Sequence, residues 1–198
     1  MKRRQKLLLA FIERHIKEGF LSADQIVERA LSEFEDYMPR VRLISLAQKL
    51  VYHVSIKRYV EEINWTELTD CDRLDQAFAE LNKIGIVARQ HFSCCNSCGH
   101  RQIDAVLKRE QGRRKVWGFA FFHAQDTEMA VRSGVLFITY DSADKRGKRA
   151  IEVGRRISDA LRKAGLNVEW DGSYLQRVCV TGLKWQKRKF AQNAPKSA

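Results

Sequence analysis

The chain has 198 residues, 44% of them hydrophobic and 10% aromatic, which supports a sizeable folded core and argues against a disordered protein. The net charge is +12, and the apolar run at residues 7–12 is too short for a signal peptide or for a membrane span of about 18 residues, so we expect a cytoplasmic protein with no membrane contact. In a reducing compartment the five cysteines are expected to be free thiols, metal ligands or catalytic groups rather than disulfides.

The N-terminal segment, residues 1–65, is predicted to be helical throughout, because apolar residues recur at helical spacing and strand-like alternation is absent. Gly19 ends the first helix, and Ser22 with Gln25 forms a capping box that starts the second. A third helix is predicted over about 41–62. Its apolar stripe is expected to pack against the other two helices, and the N-terminal helices also offer a surface for a homo-oligomer.

After this segment, residues 66–190 alternate between helical and strand-like patterns and are predicted to form an α+β domain. Only about ten residues join the second and third strands, too few for a parallel crossover, so we expect a mixed or antiparallel sheet of about five strands. Residues 191–198 lack periodicity and are predicted to be a disordered tail. The predicted strands are 86–92, 116–123, 135–140, 166–170 and 178–183.

A cysteine cluster follows the first predicted strand, with Cys94, Cys95, Cys98 and His100 inside seven residues. Cys95 and Cys98 form a CxxC pair whose thiolates can hold one zinc ion from a tight turn, with Cys94 or His100 as the third ligand. A tetrahedral site needs a fourth ligand, and His123 at the end of the second strand is the candidate. The sequence has no second CxxC pair, so zinc binding is a hypothesis that depends on geometry.

The same thiols allow two other interpretations. At a strand-to-helix turn, Cys95 or Cys98 lies near the positive end of the helix dipole, which favours a redox thiol or a nucleophile. This placement resembles thioredoxin, but the cis-proline of that fold has no counterpart, because the only prolines are Pro39 and Pro195. Alternatively, the thiols only pack a tight turn and His100 caps the next helix.

A second polar constellation is His123-Ala-Gln-Asp-Thr-Glu128, after the second predicted strand. His123 is a candidate ligand or general base, with Asp126 or Glu128 orienting it or acting as an acid. Both carboxylates also suit the N-cap and first turn of a helix. Arg89 and Gln90 are candidate ligand contacts, and Arg89 could instead pair with Asp126. No nucleotide-binding loop or common hydrolase motif is present, and the sequence does not decide whether the protein is an enzyme.

Positive charge is concentrated in the last third of the chain. Residues 141–198 hold 14 Lys and Arg against 6 Asp and Glu, which permits contact with nucleic acid or another polyanion. Many of these basic residues lie on a predicted long helix, where a charge run is usually a solvated face. We therefore favour a metal site or a thiol enzyme over a third hypothesis, a non-enzymatic module that binds nucleic acid or protein.

Six segments stand out as a set: DCDRLD (70–75), AF (77–78), GIVARQ (85–90), CCNSCGH (94–100), FHAQDTE (122–128) and VEWDG (168–172). Together they resemble a bacterial family known only as a domain of unknown function, over residues 19–185. The resemblance brings no activity, substrate or cofactor. It implies that the cysteine segment and the His-x-Gln-Asp-Thr-Glu segment belong to one pattern and meet in space. Arg101-Gln102 departs from the family, which has a small residue and an acid there, so no acidic role is carried over to that position.

Overall fold

The computed structural model describes residues 3–144 and 147–189. Within these residues the N-terminal helices are followed by alternating helices and strands, and the predicted α+β class is confirmed. The helices are α1 (Arg3–Glu18), α2 (Ala23–Phe34), a short 3-10 helix (Glu35–Tyr37), α3 (Arg40–Ile63), α4 (Asp70–Lys83), α5 (Asn96–Gln111), α6 (Ala124–Ser133) and α7 (Gly147–Lys163). The strands are β1 (Ile86–Arg89), β2 (Gly118–Phe121), β3 (Leu136–Ser142), β4 (Asn167–Glu169) and β5 (Val178–Thr181).

The chain divides into two compact units. The first contains the residues up to Glu67 together with those from Gln186, and the second is Leu68–Trp185. The predicted disordered tail, 191–198, lies outside the described residues. None of the helices within the described ranges is long and apolar enough to cross a membrane.

Helices α1, α2 and α3 build the first unit. Ser22 Oγ accepts a hydrogen bond from the Gln25 backbone and the Gln25 side chain accepts one from the Ser22 backbone, so the predicted capping box is confirmed. The Lys189 backbone N–H donates to the Glu62 carboxylate at 3.1 Å, which ties the C-terminal segment to α3. The core contains side chains from all three helices: Leu8, Ile12, Ile16, Ile26, Ala30, Leu43, Ala47 and Val51.

The second unit contains a five-stranded mixed sheet with the strand order β1-β2-β3-β5-β4. Strands β1 and β2 run parallel because α5 crosses over between them, and Ala88 lies opposite Ala120 in their register. All other neighbouring strands are antiparallel. The antiparallel pairing of β2 with β3 confirms the prediction made from their short connection.

Helices cover both faces of this sheet. Val87, Phe119 and Phe121 on one face pack against Ile103 and Leu107 of α5. Residues alternate between faces along a strand, so Gly118 points to the other side, where α7 packs. A Cβ atom at Gly118 would come within 2.5 Å of Val153 of α7, so glycine is needed for this close approach. The cysteine segment and the segment from His123 to Glu128 follow the ends of β1 and β2.

Candidate metal centre

The cysteine segment and the His-x-Gln-Asp-Thr-Glu segment meet at the carboxyl ends of β1 and β2. The Phe92 backbone N–H donates to the Phe122 carbonyl at 2.8 Å, and the Ala124 N–H donates to the Ser93 carbonyl at 3.1 Å. His91 and Ser93 have positive φ values of 48° and 67°. Residues other than glycine adopt this left-handed backbone conformation only at a cost in free energy. These bonds hold the turn that presents the cysteines, and the two segments are adjacent as the resemblance implied.

Helix α5 begins inside the cysteine cluster. Cys95 is its N-cap residue, in an extended conformation, and its side chain makes no capping hydrogen bond. Cys98 therefore lies in the first turn, near the positive end of the helix dipole, and Cys94 immediately precedes the cap. A Cβ atom on Gly99 would come within 2.5 Å of the Phe121 ring. Glycine at this position allows the start of α5 to lie directly on β2.

The three thiols of this turn form a compact group. The Sγ atoms of Cys94, Cys95 and Cys98 all lie within 4.8 Å of one another, and those of Cys94 and Cys95 are 3.9 Å apart. Two sulfurs that bind one tetrahedral zinc at about 2.3 Å are separated by about 3.8 Å. The spacing of the first pair therefore suits a shared ion, and the third sulfur lies within 4.8 Å of both.

Arg101 contacts this group from the next turn of α5. Its Nη2 donates a hydrogen bond to Cys98 Sγ at 3.1 Å, which lowers the pKa of the Cys98 thiol. The pKa of Cys94 is raised, chiefly because its thiol hydrogen-bonds to Cys98. Cys98 therefore loses its proton at a lower pH than Cys94 does. Sequence reasoning missed Arg101, although its position three residues after Cys98 on one helix was an available signal.

Neither histidine of the predicted ligand set has a ring nitrogen within 4.8 Å of all three sulfurs. Within the described part of the chain, the three cysteines form the one group of three or more Cys, His, Asp or Glu side chains with ligand atoms this close. His100 is exposed on α5, and its ring packs edge-on against Phe121 at 5.6 Å between centroids. It does not cap α5, because Cys95 occupies that position.

His123 is the N-cap of α6. Its Nδ1 accepts a hydrogen bond from the Asp126 backbone N–H at 3.2 Å, and its Nε2 lies 3.0 Å from Asp126 Oδ2. Burial lowers the pKa of His123, in keeping with a neutral ring that accepts this bond. Helix α6 therefore starts three residues earlier than a cap at Asp126 would give, and Glu128 lies half-buried in its second turn.

Asp126 is a buried carboxylate that contacts both His123 and Arg177. Besides orienting His123, it accepts hydrogen bonds from Arg177 Nη1 at 3.1 and 3.3 Å. The Arg177 guanidinium also lies over the Phe137 ring, 4.7 Å from its centroid. Arg177 is 51 positions away in sequence, and nothing in the local pattern indicated this pair. Together these contacts give Asp126 a role in holding the start of α6.

The two candidate ligand contacts before the cluster bind other parts of the fold. Arg89 Nη2 donates to Glu110 at 2.9 Å and Nη1 donates to Asn82 Oδ1 at 3.1 Å. The suggested pairing of Arg89 with Asp126 is wrong, because Glu110 at the far end of α5 attracts this guanidinium. The Gln90 side chain donates to Asp75 Oδ1 at 2.8 Å.

Fold and site together define an α+β protein with a cluster of three thiols at a strand-to-helix turn. The family model described as Domain of unknown function (DUF6891) matches residues 2–189, and the chain belongs to this family. No curated protein and no solved structure matches the chain.

Proposed function

We propose that Cys94, Cys95 and Cys98 bind one thiophilic metal ion, and that this ion is zinc. The observation that carries the proposal is the grouping of three Sγ atoms within 4.8 Å in one turn. Thiolate sulfur is a soft ligand that selects zinc and copper(I) over magnesium or calcium. A disulfide would use two of the three thiols and leave one over, whereas a metal ion uses all three.

The proposed site has an open coordination position. Structural zinc sites are closed by four protein ligands, whereas sites with three protein ligands hold water or a substrate at the fourth position. Neither His100 nor His123 has a ring nitrogen within 4.8 Å of all three sulfurs, and Cys94 is exposed to solvent. We therefore propose a zinc ion with one exchangeable ligand rather than a purely structural ion.

Arg101 supports the binding of a metal electrostatically. Three thiolates on one Zn²⁺ carry a net charge of −1, and the guanidinium beside Cys98 offsets it. The raised pKa of Cys94 means that metal binding has to displace a proton at neutral pH. Affinity for zinc should accordingly rise with pH, because fewer protons then compete for the thiolates.

The test is metal analysis of the full chain purified without a His tag, with Cys94, Cys95 and Cys98 each replaced by Ser. We expect one zinc per chain in the wild type and a dissociation constant raised more than about tenfold in each variant, since even indirect changes around metal ligands cost this much. Cys179→Ser is the matched control, because Cys179 lies outside the cluster on β5. Sub-stoichiometric zinc in the wild type, or equal binding by cluster and control variants, would contradict the proposal.

The contact between Arg101 and Cys98 favours a second candidate function, thiol–disulfide exchange. The Cys98 thiolate would attack a disulfide substrate, form a mixed disulfide and release the first substrate thiolate. Cys94 or Cys95, after losing its proton to solvent, would then attack Cys98 Sγ and release the second substrate thiolate. The protein would finish with one disulfide and the substrate with two reduced thiols.

A further inference from the structure

The outward face of α3 carries a row of exposed apolar side chains. Tyr52 is 64% exposed, Ile56 46%, Tyr59 40%, Val60 54% and Ile63 61%. We call these five residues the α3 seam. They extend along the last three turns of the helix, and large apolar groups left in water on one contiguous strip indicate an interaction surface.

The charges of this half of α3 lie away from the seam. Arg58 and Glu62 are buried on the opposite side of the helix, where Arg58 also contacts Glu61. Lys57 follows Ile56 and is rotated by about 100° from it around the helix axis. The seam is therefore an uninterrupted apolar strip between Tyr52 and Ile63.

The spacing of the seam selects a helix as its partner. Tyr52, Ile56, Tyr59 and Ile63 follow one another at intervals of four, three and four residues. This is the alternation of a and d positions in a heptad repeat, whose side chains fit between those of a second helix with the same repeat. A second copy of α3 supplies such a helix.

We infer that the chain forms a two-fold homodimer in which the α3 seam of one copy packs antiparallel on that of the other, centred on Ile56. About half of each seam side chain is exposed, so five such residues supply about 500 Å² per copy. Two copies would bury about 1,000 Å², the lower limit for a specific interface. Contacts around the seam would add to this area.

The antiparallel direction follows from charge. Lys49 is exposed and lies on the same heptad register, one turn before Tyr52. In a parallel pair it would face Lys49 of the second copy. In an antiparallel pair it lies near the C-terminal end of the other α3, where the helix dipole is negative and the last turn has no basic residue of its own.

Sedimentation equilibrium of the full chain in EDTA tests the dimer independently of any metal. We expect twice the chain mass of 23.0 kDa at about 100 μM, and dissociation on dilution. Ile56→Asp and Tyr59→Asp should each raise the dimer dissociation constant by at least about tenfold, because a charge would be buried in the middle of the seam without a partner. Leu175→Asp, at an 89% exposed position in the other unit, should leave it unchanged.

Circular dichroism of each variant checks that its helical content is unchanged. Two seam variants are used so that the test still works if one of them fails to fold. A wild-type chain that stays monomeric at this concentration overturns the inference, and so does a dimer unaffected by both folded seam variants. Lys49→Glu separates the two directions, because it should weaken an antiparallel dimer. A tighter dimer in this variant would overturn the antiparallel arrangement.

Discussion

At the scale of single residues, Arg101 makes the three cysteines chemically unequal. Its guanidinium contacts only Cys98 among them by hydrogen bond, so that thiol has the lowered pKa while the pKa of Cys94 is raised. A lowered thiol pKa means more thiolate, and thus more nucleophile, at neutral pH. Of Cys94 and Cys98, Cys98 is thus the thiol that would ionise first in metal binding or in thiol exchange.

Arg101→Gln should therefore slow the alkylation of Cys98 by iodoacetamide several-fold at pH 7, as measured by mass spectrometry of the modified peptides. In the wild type, the Cys98 rate should fall as the pH drops through its lowered pKa, because protonation removes the thiolate. Arg109→Gln, an exposed site at the other end of α5, is the matched control. Equal Cys98 rates in the wild type and the Arg101 variant would show that this contact does not activate the thiol.

The three thiols of the site could be predicted from the sequence, whereas the side chains around them could not. Cys94, Cys95 and Cys98 are close in the chain, and the turn that joins them keeps them close in space. The predicted fourth ligand, His123, reaches the same end of the sheet only through tertiary structure, and its orientation depends on the local cap it forms with Asp126. The other partner of Asp126, Arg177, is too distant in sequence for any spacing rule to identify.

At the scale of elements, the position of the cysteine cluster depends on how closely α5 lies on β2. Gly99 is buried against the Phe121 ring, which is itself fully buried. A methyl group there would displace the start of α5, and with it Cys95 and Cys98.

Gly99→Ala is expected to lower the free energy of unfolding by about 1–3 kcal/mol, because overpacking outweighs the better helix propensity of alanine. Urea unfolding of the metal-free chain measures this change. Gly112→Ala at the other end of α5 should be close to neutral, since the nearest atoms to its Cβ are at 3.6 Å or more and its φ is −69°. Similar unfolding midpoints for the two variants would rule out a packing role for Gly99.

The ends of elements were harder to predict than their existence. The first strand was expected over 86–92, but β1 ends at Arg89 because the chain turns through left-handed conformations at His91 and Ser93. These residues are compatible with a strand by composition, and their conformation is imposed by hydrogen bonds to the segment after β2. The antiparallel β2–β3 pair was predictable, because connection length limits strand direction.

At the scale of the whole molecule, the class of fold followed from the switch between helical and alternating patterns. The order of the strands could not be predicted in this way, because β5 lies between β3 and β4 through pairings such as Val180 with Leu136 that are distant in sequence.

Several basic residues of α7 form ion pairs with acidic residues of the same helix, including Arg155 and Arg156 with Glu152. Nucleic-acid binding by the last third of the chain stays a prediction.

The most direct test of the account is zinc X-ray absorption spectroscopy of the metal-loaded full chain. Three thiolates and one exchangeable ligand predict three sulfur neighbours at about 2.3 Å and one lighter atom at about 2.0 Å. Cys94→Ser should reduce the sulfur count by one, because Cys94 is a proposed ligand, and Cys71→Ser should leave it at three. A zinc ion bound by nitrogen and oxygen alone, or by four sulfurs, would contradict a centre made by Cys94, Cys95 and Cys98.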